Sequence, residues 1–246
     1  MSITSPDELD GLRAIGRIVR KALDAMSAAM RPGITTAELD DIGGRALADH
    51  GAESSPPKVY GFPGAVCISL NDEAVHGSPG DRVLRPGDLV KLDLVAEKNG
   101  FLADAAVTVG VGEVTSTATA LVRCAERAFQ QAVKVTRVGF RVDDTGRAVE
   151  WEVTRWGFRV MPAFGGHGVG RTIHEPPTIP NYPDPLCRER LTEGLVITIE
   201  PIVSAGTGRS TPQVDGWTVR TADGSFSAHY EHTVVITKRE PILLTL

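Results

Sequence analysis

Four carboxylates stand inside apolar strand patterns, where acidic side chains are depleted and costly to bury. Asp93 lies between Leu92 and Leu94 in VKLDLV, and Asp104 follows eleven residues later in FLADAAVTV. Glu200 ends VITIE, and Glu231 opens EHTVV. Any one of them alone reads as an edge-strand or half-exposed carboxylate. Together they form two pairs, each on neighbouring strands. Carboxylates brought together repel one another and need positive charge to hold them. No Arg or Lys recurs at matching positions in these strands, Lys91 being the nearest, whereas two divalent cations would balance the four negative charges. A centre of that kind turns water into a nucleophile and polarises a substrate oxygen, so hydrolysis is the expected reaction class.

FGGHGVGRTIHEPP (Phe164 to Pro177) adds two imidazoles seven residues apart, His167 and His174. Gly165, Gly166, Gly168 and Gly170 make a helix there improbable. A fully extended strand would hold the two rings roughly 20 Å apart. Two solvated histidines on a surface loop is the plain alternative. If both serve one site the chain must bend between them, and the glycines permit that. With His167 added the ligand set is oxygen-rich with one nitrogen, which suits Mn, Fe(II) or Co better than structural zinc.

The elements that must position these groups are legible in outline. Ser5-Pro6-Asp7-Glu8 reads as a capping box with Pro at the first helical position. Leu9, Leu12, Ile15, Val19, Leu23, Met26 and Met30 then recur at helical steps until Arg31-Pro32-Gly33. Thr35 and Glu38 form a second box, opening a helix expected to stop at Gly51. Strands VCISL, LVKLDLV and FLADAAVTV follow, the last two joined by a turn at Lys98-Asn99-Gly100. Helices are expected over about 117–135 and 144–156, and then strands GLVITIEPIVSA, GWTVRTA and YEHTVVIT. Helix, helix, strands thus occurs twice. RPGITTAELDDIGGRA resembles RVGFRVDDTGRA, and the Asp-Asp-x-Gly cores at Asp40 and Asp143 lie 103 positions apart. One domain over 1–246 is expected, with related halves of about 5–112 and 113–246 and the site at their junction.

GHGVGR with HEPP, TIEP and SAHYEHT, together with Asp93 and Asp104, resemble the type I methionine aminopeptidases over roughly Ser5 to Val235. The resemblance implies the pita-bread fold, an α+β architecture of two pseudo-symmetric halves around an antiparallel sheet. It also implies a dinuclear metal-dependent peptidase that removes N-terminal methionine from nascent chains with a small second residue. Two divalent ions (Mn, Fe(II) or Co) would be held by Asp93, Asp104, His167, Glu200 and Glu231. Asp104 and Glu231 would bridge them, and Glu200 would also accept a proton from the attacking water. His76 would stand near the scissile amide, and His174 would bond the substrate carbonyl. Phe62, Cys67, Ile173, Ile202 and Trp217 would line the methionine pocket. The span from His174 to Glu200 lacks the insertion of the type II branch. Departures are Val95 and Ala106, where the family carries hydroxyls near its aspartates; His229, where it often has Gln; and Val59, where an aromatic is expected at the rim.

Bulk properties agree. A net charge of −5 and a pI of about 5.7 offer no surface for DNA or an anionic membrane. Three scattered cysteines, Cys67, Cys124 and Cys187, fit neither a disulfide framework nor a zinc ribbon. No apolar run approaches the ~20 residues of a membrane span. A cytoplasmic monomer is expected, with nascent chains as substrate and the ribosome as a candidate partner. The competing readings are an Xaa-Pro peptidase of the same fold, which usually carries a further N-terminal domain, and a metal-free binding module, which should have lost ligands that are all present here. GGHGVG does not have the GxGxxG spacing of a phosphate loop.

Overall fold

The computed structural model describes residues 1–246. The first half comprises helices α1 (Pro6–Ala29) and α2 (Thr36–Ala48), β1 (Glu53–Ser54), the short helix α3 (Pro56–Tyr60), β2 (Cys67–Leu70), β3 (Glu73–Val75), β4 (Leu89–Lys98) and β5 (Phe101–Gly110). The second begins with α4 (Ser116–Val135) and α5 (Val142–Arg155), followed by β6 (Arg159–Val160), β7 (Gly165–Gly168) and β8 (Glu175–Pro180). It closes with β9 (Val196–Ile199), β10 (Ile202–Ser204), β11 (Ser210–Pro212), β12 (Val219–Thr221), β13 (Ser227–His229), β14 (Glu231–Val235) and β15 (Ile242–Leu243).

The helix starts follow capping chemistry. Thr35 Oγ1 accepts from the Glu38 amide, and the Glu38 carboxylate accepts from the Thr35 amide in return. At α1 the box is only half formed: Ser5 Oγ accepts from the Glu8 amide, but the Glu8 carboxylate turns to the amide and hydroxyl of Thr4. At the β4–β5 turn Asn99 and Gly100 both have positive φ (53° and 77°), as a two-residue hairpin demands.

The main sheet runs β1-β4-β5-β14-β9-β7-β8, with β2 added beside β4 and β15 beside β14. Two three-stranded sheets, β13-β10-β6 and β11-β12-β3, adjoin it, and all the strand pairs are antiparallel. Each half packs a helix pair on the sheet. Ile15, Val19, Leu23 and Met26 of α1 share a core with Leu92 and Leu94 of β4. Leu121, Ala128 and Phe129 of α4 share another with Ile197 and Ile199 of β9. The two Asp-Asp-x-Gly segments fall in α2 and α5, the second helix of each pair.

Because strand side chains alternate, residues between these core positions must face away from the helices. Asp93 stands between Leu92 and Leu94, and Thr198 between Ile197 and Ile199. The helices therefore cover one face of the sheet, and the acidic residues occupy the other.

Candidate metal centre

Register brings the five expected ligands together. Asp93 pairs with Ala106 across β4–β5, and Ala106 pairs with Glu231 across β5–β14. Asp104, two residues before Ala106, shares its face. His232 pairs with Ile199, which sets Glu231 beside Glu200, and Gly168 pairs with Ile197, which sets His167 beside Thr198. Five neighbouring strands thus bring one expected ligand each to one face, Glu200 immediately after the end of β9.

Both glutamates sit at strand breaks. The sequence pattern reads GLVITIEPIVSA as one run, but it divides at Glu200-Pro201, where proline removes an amide from the ladder. The strand expected over YEHTVVIT begins at Glu231, and a separate short strand, β13, precedes it with Tyr230 between them. At the first junction the chain passes from the main sheet (β9) into a small one (β10), and at the second from that small sheet (β13) into the main one (β14), and both glutamates line the cavity at these junctions.

Asp104, Glu200 and Glu231 are buried. His167 Nε2 lies 3.8 Å from Asp104 Oδ2 and 3.6 Å from Glu200 Oε1. Its Nδ1 lies 3.0 Å from the Gly168 carbonyl, so Nδ1–H donates there and the Nε2 lone pair faces the carboxylates. Thr198 Oγ1 donates to Glu200 Oε1 at 3.1 Å and accepts from the His167 amide at 3.0 Å. Thr233 exchanges hydrogen bonds with the Asp104 backbone. No hydroxyl takes the place of those missing at Val95 and Ala106: Thr233 holds only the Asp104 backbone, and Asp104 Oδ1 has no hydrogen-bond partner.

Burial raises the pKa of Asp93. Burial first and repulsion from neighbouring carboxylates second push Asp104, Glu200 and Glu231 well above the ordinary range. No lysine or arginine relieves them. Lys91, the nearest candidate, instead donates to the Asn71 carbonyl at 2.7 Å and to Ser227, and burial lowers its pKa to about 7. Asp104 Oδ1, Glu231 Oε1 and both ring nitrogens of His229 are buried without a hydrogen-bond partner. Two donor groups, Asp104–His167–Glu231 and Glu200–His229–Glu231, each hold ligand atoms within 4.8 Å of one another. Unsatisfied oxygens, a neutral imidazole and uncompensated negative charge fit divalent cations.

All twelve residues expected at the site line one cavity of about 1100 Å³. The His167 and His174 ring centroids are 4.2 Å apart, because β7 and β8 form a hairpin. The glycines have a different purpose from the one their flexibility implies. Only Gly170 has positive φ (131°). A Cβ on Gly166 would sit 2.3 Å from the Thr198 carbonyl oxygen, and one on Gly168 2.3 Å from that of Pro176. They permit close approach of the flanking strands more than bending. His76, φ 56°, turns out of β3 into the cavity in a conformation costly for a side chain bearing Cβ. Phe62, Cys67, Ile173 and Ile202 are buried, and Trp217 meets Phe62 edge to face at 5.3 Å.

Two cavity groups escaped the sequence reading. Tyr60 Oη lies 2.7 Å from His174 Nδ1. Val59, at the position expected to be aromatic, is 57% exposed and does not line the cavity, so α3 presents its neighbour Tyr60 instead. His229, noted only as a departure, is buried against Glu231, with Nε2 3.3 Å from Oε2.

Residues 10–238 match the model of metallopeptidase family M24. The chain is 44% identical to methionine aminopeptidase 2 of Bacillus subtilis, covering 100% of this chain and 99% of that one. It is 41% identical to the methionine aminopeptidase of Clostridium perfringens, over 99% and 98%. The crystal structure of the Rickettsia prowazekii methionine aminopeptidase superposes with a TM-score of 0.96 at 32% identity, covering all of both chains. Pyrococcus furiosus prolidase shares the fold with a TM-score of 0.81 at 24% identity, matching 99% of this chain and 65% of its own.

Proposed function

The chain belongs to metallopeptidase family M24, and on that premise we infer that it is a metal-dependent aminopeptidase removing N-terminal methionine from proteins and peptides with a small second residue. The observation that carries this reading is the face of five strands presenting Asp93, Asp104, Glu231, Glu200 and His167 beside a buried apolar pocket.

We further propose that Asp93, Asp104, His167, Glu200 and Glu231 would hold two divalent ions, drawn from Mn, Fe(II) and Co. Bound there, such ions supply Lewis acidity toward the scissile carbonyl and lower the pKa of a water. The protein's own groups do the rest. Phe62, Cys67, Ile173, Ile202 and Trp217 receive the methionine side chain. Glu200, oriented by Thr198, accepts a proton from the attacking water. His174, its pKa lowered by burial and by His76, is neutral and donates to the substrate carbonyl oxygen as charge develops. His76 stands by the scissile amide.

The proposal treats 1–246 as one catalytic unit whose halves, about 5–112 and 113–246, meet at the site. It places the enzyme in the cytoplasm as a monomer acting on nascent chains, with the ribosome as candidate partner. No helix is long and apolar enough to cross a membrane.

The test is to strip metal with a chelator, verify its absence by elemental analysis and assay Met-Ala-Ser and Met-Pro peptides with Mn, Fe(II), Co or Zn restored. Activity should vanish and return on Met-Ala-Ser. Full activity without metal overturns the mechanism.

A further inference from the structure

SAHYEHT alternates between two environments. Tyr230 and His232 point toward α4, each meeting Phe129 edge to face with centroids 5.5 and 5.1 Å away. His232 is satisfied there, by Tyr230 Oη at 3.0 Å and Thr245 Oγ1 at 2.9 Å. His229 and Glu231, the alternate positions, therefore point the other way, into the cavity, which both of them line.

His229 is 2% exposed, and neither ring nitrogen has a hydrogen-bond partner. An imidazole so buried and unsatisfied costs stability unless something binds it. Its Nε2 is 3.3 Å from Glu231 Oε2 and 3.8 Å from Glu200 Oε2. Thr108 fixes the backbone behind it, donating through Oγ1 to the His229 carbonyl and accepting from the His229 amide, both at 2.8 Å. His167 reaches Glu200 at a similar separation, 3.6 Å. The two donor groups share Glu231 and contain one imidazole each, His167 in one and His229 in the other.

We propose that His229 is a further protein ligand of the centre, coordinating through Nε2 the ion opposite the one that His167 binds; this rests on the two-ion reading above. Asp93, Asp104, His167, Glu200 and Glu231 alone give one ion a nitrogen donor and leave the other an all-oxygen shell. His229 makes both positions nitrogen-bearing. Oxygen-only shells suit Mg and Mn, whereas an added imidazole favours Fe(II), Co, Ni and Zn. The second position then selects for borderline transition metals and holds them more tightly.

Co(II) titration of the metal-free full chain tests this. Two equivalents should bind, and the proton NMR spectrum in water should show two paramagnetically shifted, exchangeable imidazole N–H signals. His229→Gln should lose one of them and bind the second equivalent at least about 10-fold more weakly. Wild type binding two ions with a single imidazole signal overturns the proposal and leaves the two-ion reading intact. An unchanged second affinity in His229→Gln does the same. Binding of fewer than two ions by wild type overturns both. The wild-type spectrum decides the matter even if the variant fails to fold.

Discussion

Tyr60 Oη lies 2.7 Å from His174 Nδ1, across the mouth of the cavity. Burial raises the phenol's pKa, so it remains a donor. A phenol donating to Nδ1 leaves the His174 proton on Nε2, the nitrogen then free to donate to the substrate carbonyl. If His174 bonds the substrate carbonyl as proposed, Tyr60 would act on it as a positioning residue. Tyr60→Phe should lower kcat by roughly 5- to 50-fold, with KM and metal content nearly unchanged. His174→Ala should cost on the order of 10²-fold or more in kcat, again without metal loss. If Tyr60→Phe changes only KM, the phenol contacts substrate instead. A His174 variant that loses metal but keeps turnover per bound ion assigns His174 to the ligand shell.

How far the site was legible depended on the range of the interaction involved. Asp93 and Glu200 stood out because a carboxylate amid Leu and Ile breaks a local pattern, and strand alternation fixes which face it takes. The pairing of β14 between β5 and β9, which joins the two carboxylate pairs, is non-local and only implied by the repeat. Tyr60 escaped because its role depends on α3, one short turn after Ser55, meeting a hairpin 114 residues away. The glycines around His167 were recognisable as unusual, but the Thr198 and Pro176 carbonyls that exclude a Cβ belong to strands whose pairing local pattern does not reveal. The break at Glu200-Pro201 was read through, because the apolar pattern of GLVITIEPIVSA continues across it, and the short strand Ser227–His229 before Tyr230 carries no apolar pattern to reveal it.

Metal binding should depend on pH in a definite direction. Without metal, the folded-state pKa values of Asp104, Glu200 and Glu231 lie above their ordinary values of 3.8 and 4.5. Groups raised in this way contribute stability that is present below their unfolded pKa and lost as pH rises through the folded one. His167 and His229, lowered by burial from 6.5 to about 4, behave oppositely: their contribution is present above about 6.5 and lost as pH falls through about 4. Cations require ionised carboxylates and neutral imidazoles, so rising pH favours binding at both kinds of ligand. The rise in Tm on adding saturating Mn should therefore be larger at pH 7.5 than at pH 6, with protons released on binding. Calorimetry in buffers of different ionisation enthalpy measures that release. A larger Tm shift at pH 6, or proton uptake, overturns the assignment of these carboxylates as ligands.

The pocket sets what is cleaved. Phe62, Cys67, Ile173 and Ile202 are buried and apolar, and the edge-to-face contact with Trp217 fixes the Phe62 ring. Burial and the nearby carboxylates push the Cys67 thiol well above its ordinary pKa, so it lines the pocket as a neutral group. An unbranched thioether fits such a wall. A hydrophobic pocket discriminates by only about 1–3 kcal/mol per methylene, so leucine should be a poor but measurable first residue. Charged first residues should fail for want of a partner, and N-acetylation should abolish cleavage. Gly, Ala and Ser should be preferred second, because His76 and His174, placed as proposed, would crowd the scissile bond. Phe62→Ala removes the wall that Trp217 supports, so kcat/KM for methionine should fall and the margin over leucine should narrow to severalfold or less. Steady-state kinetics on free Xaa-Ala-Ser and Met-Xaa-Ser peptides measure all of this. Faster cleavage of Leu or Phe than Met by the wild type, or a preference for Xaa-Pro bonds, would refute the methionine pocket.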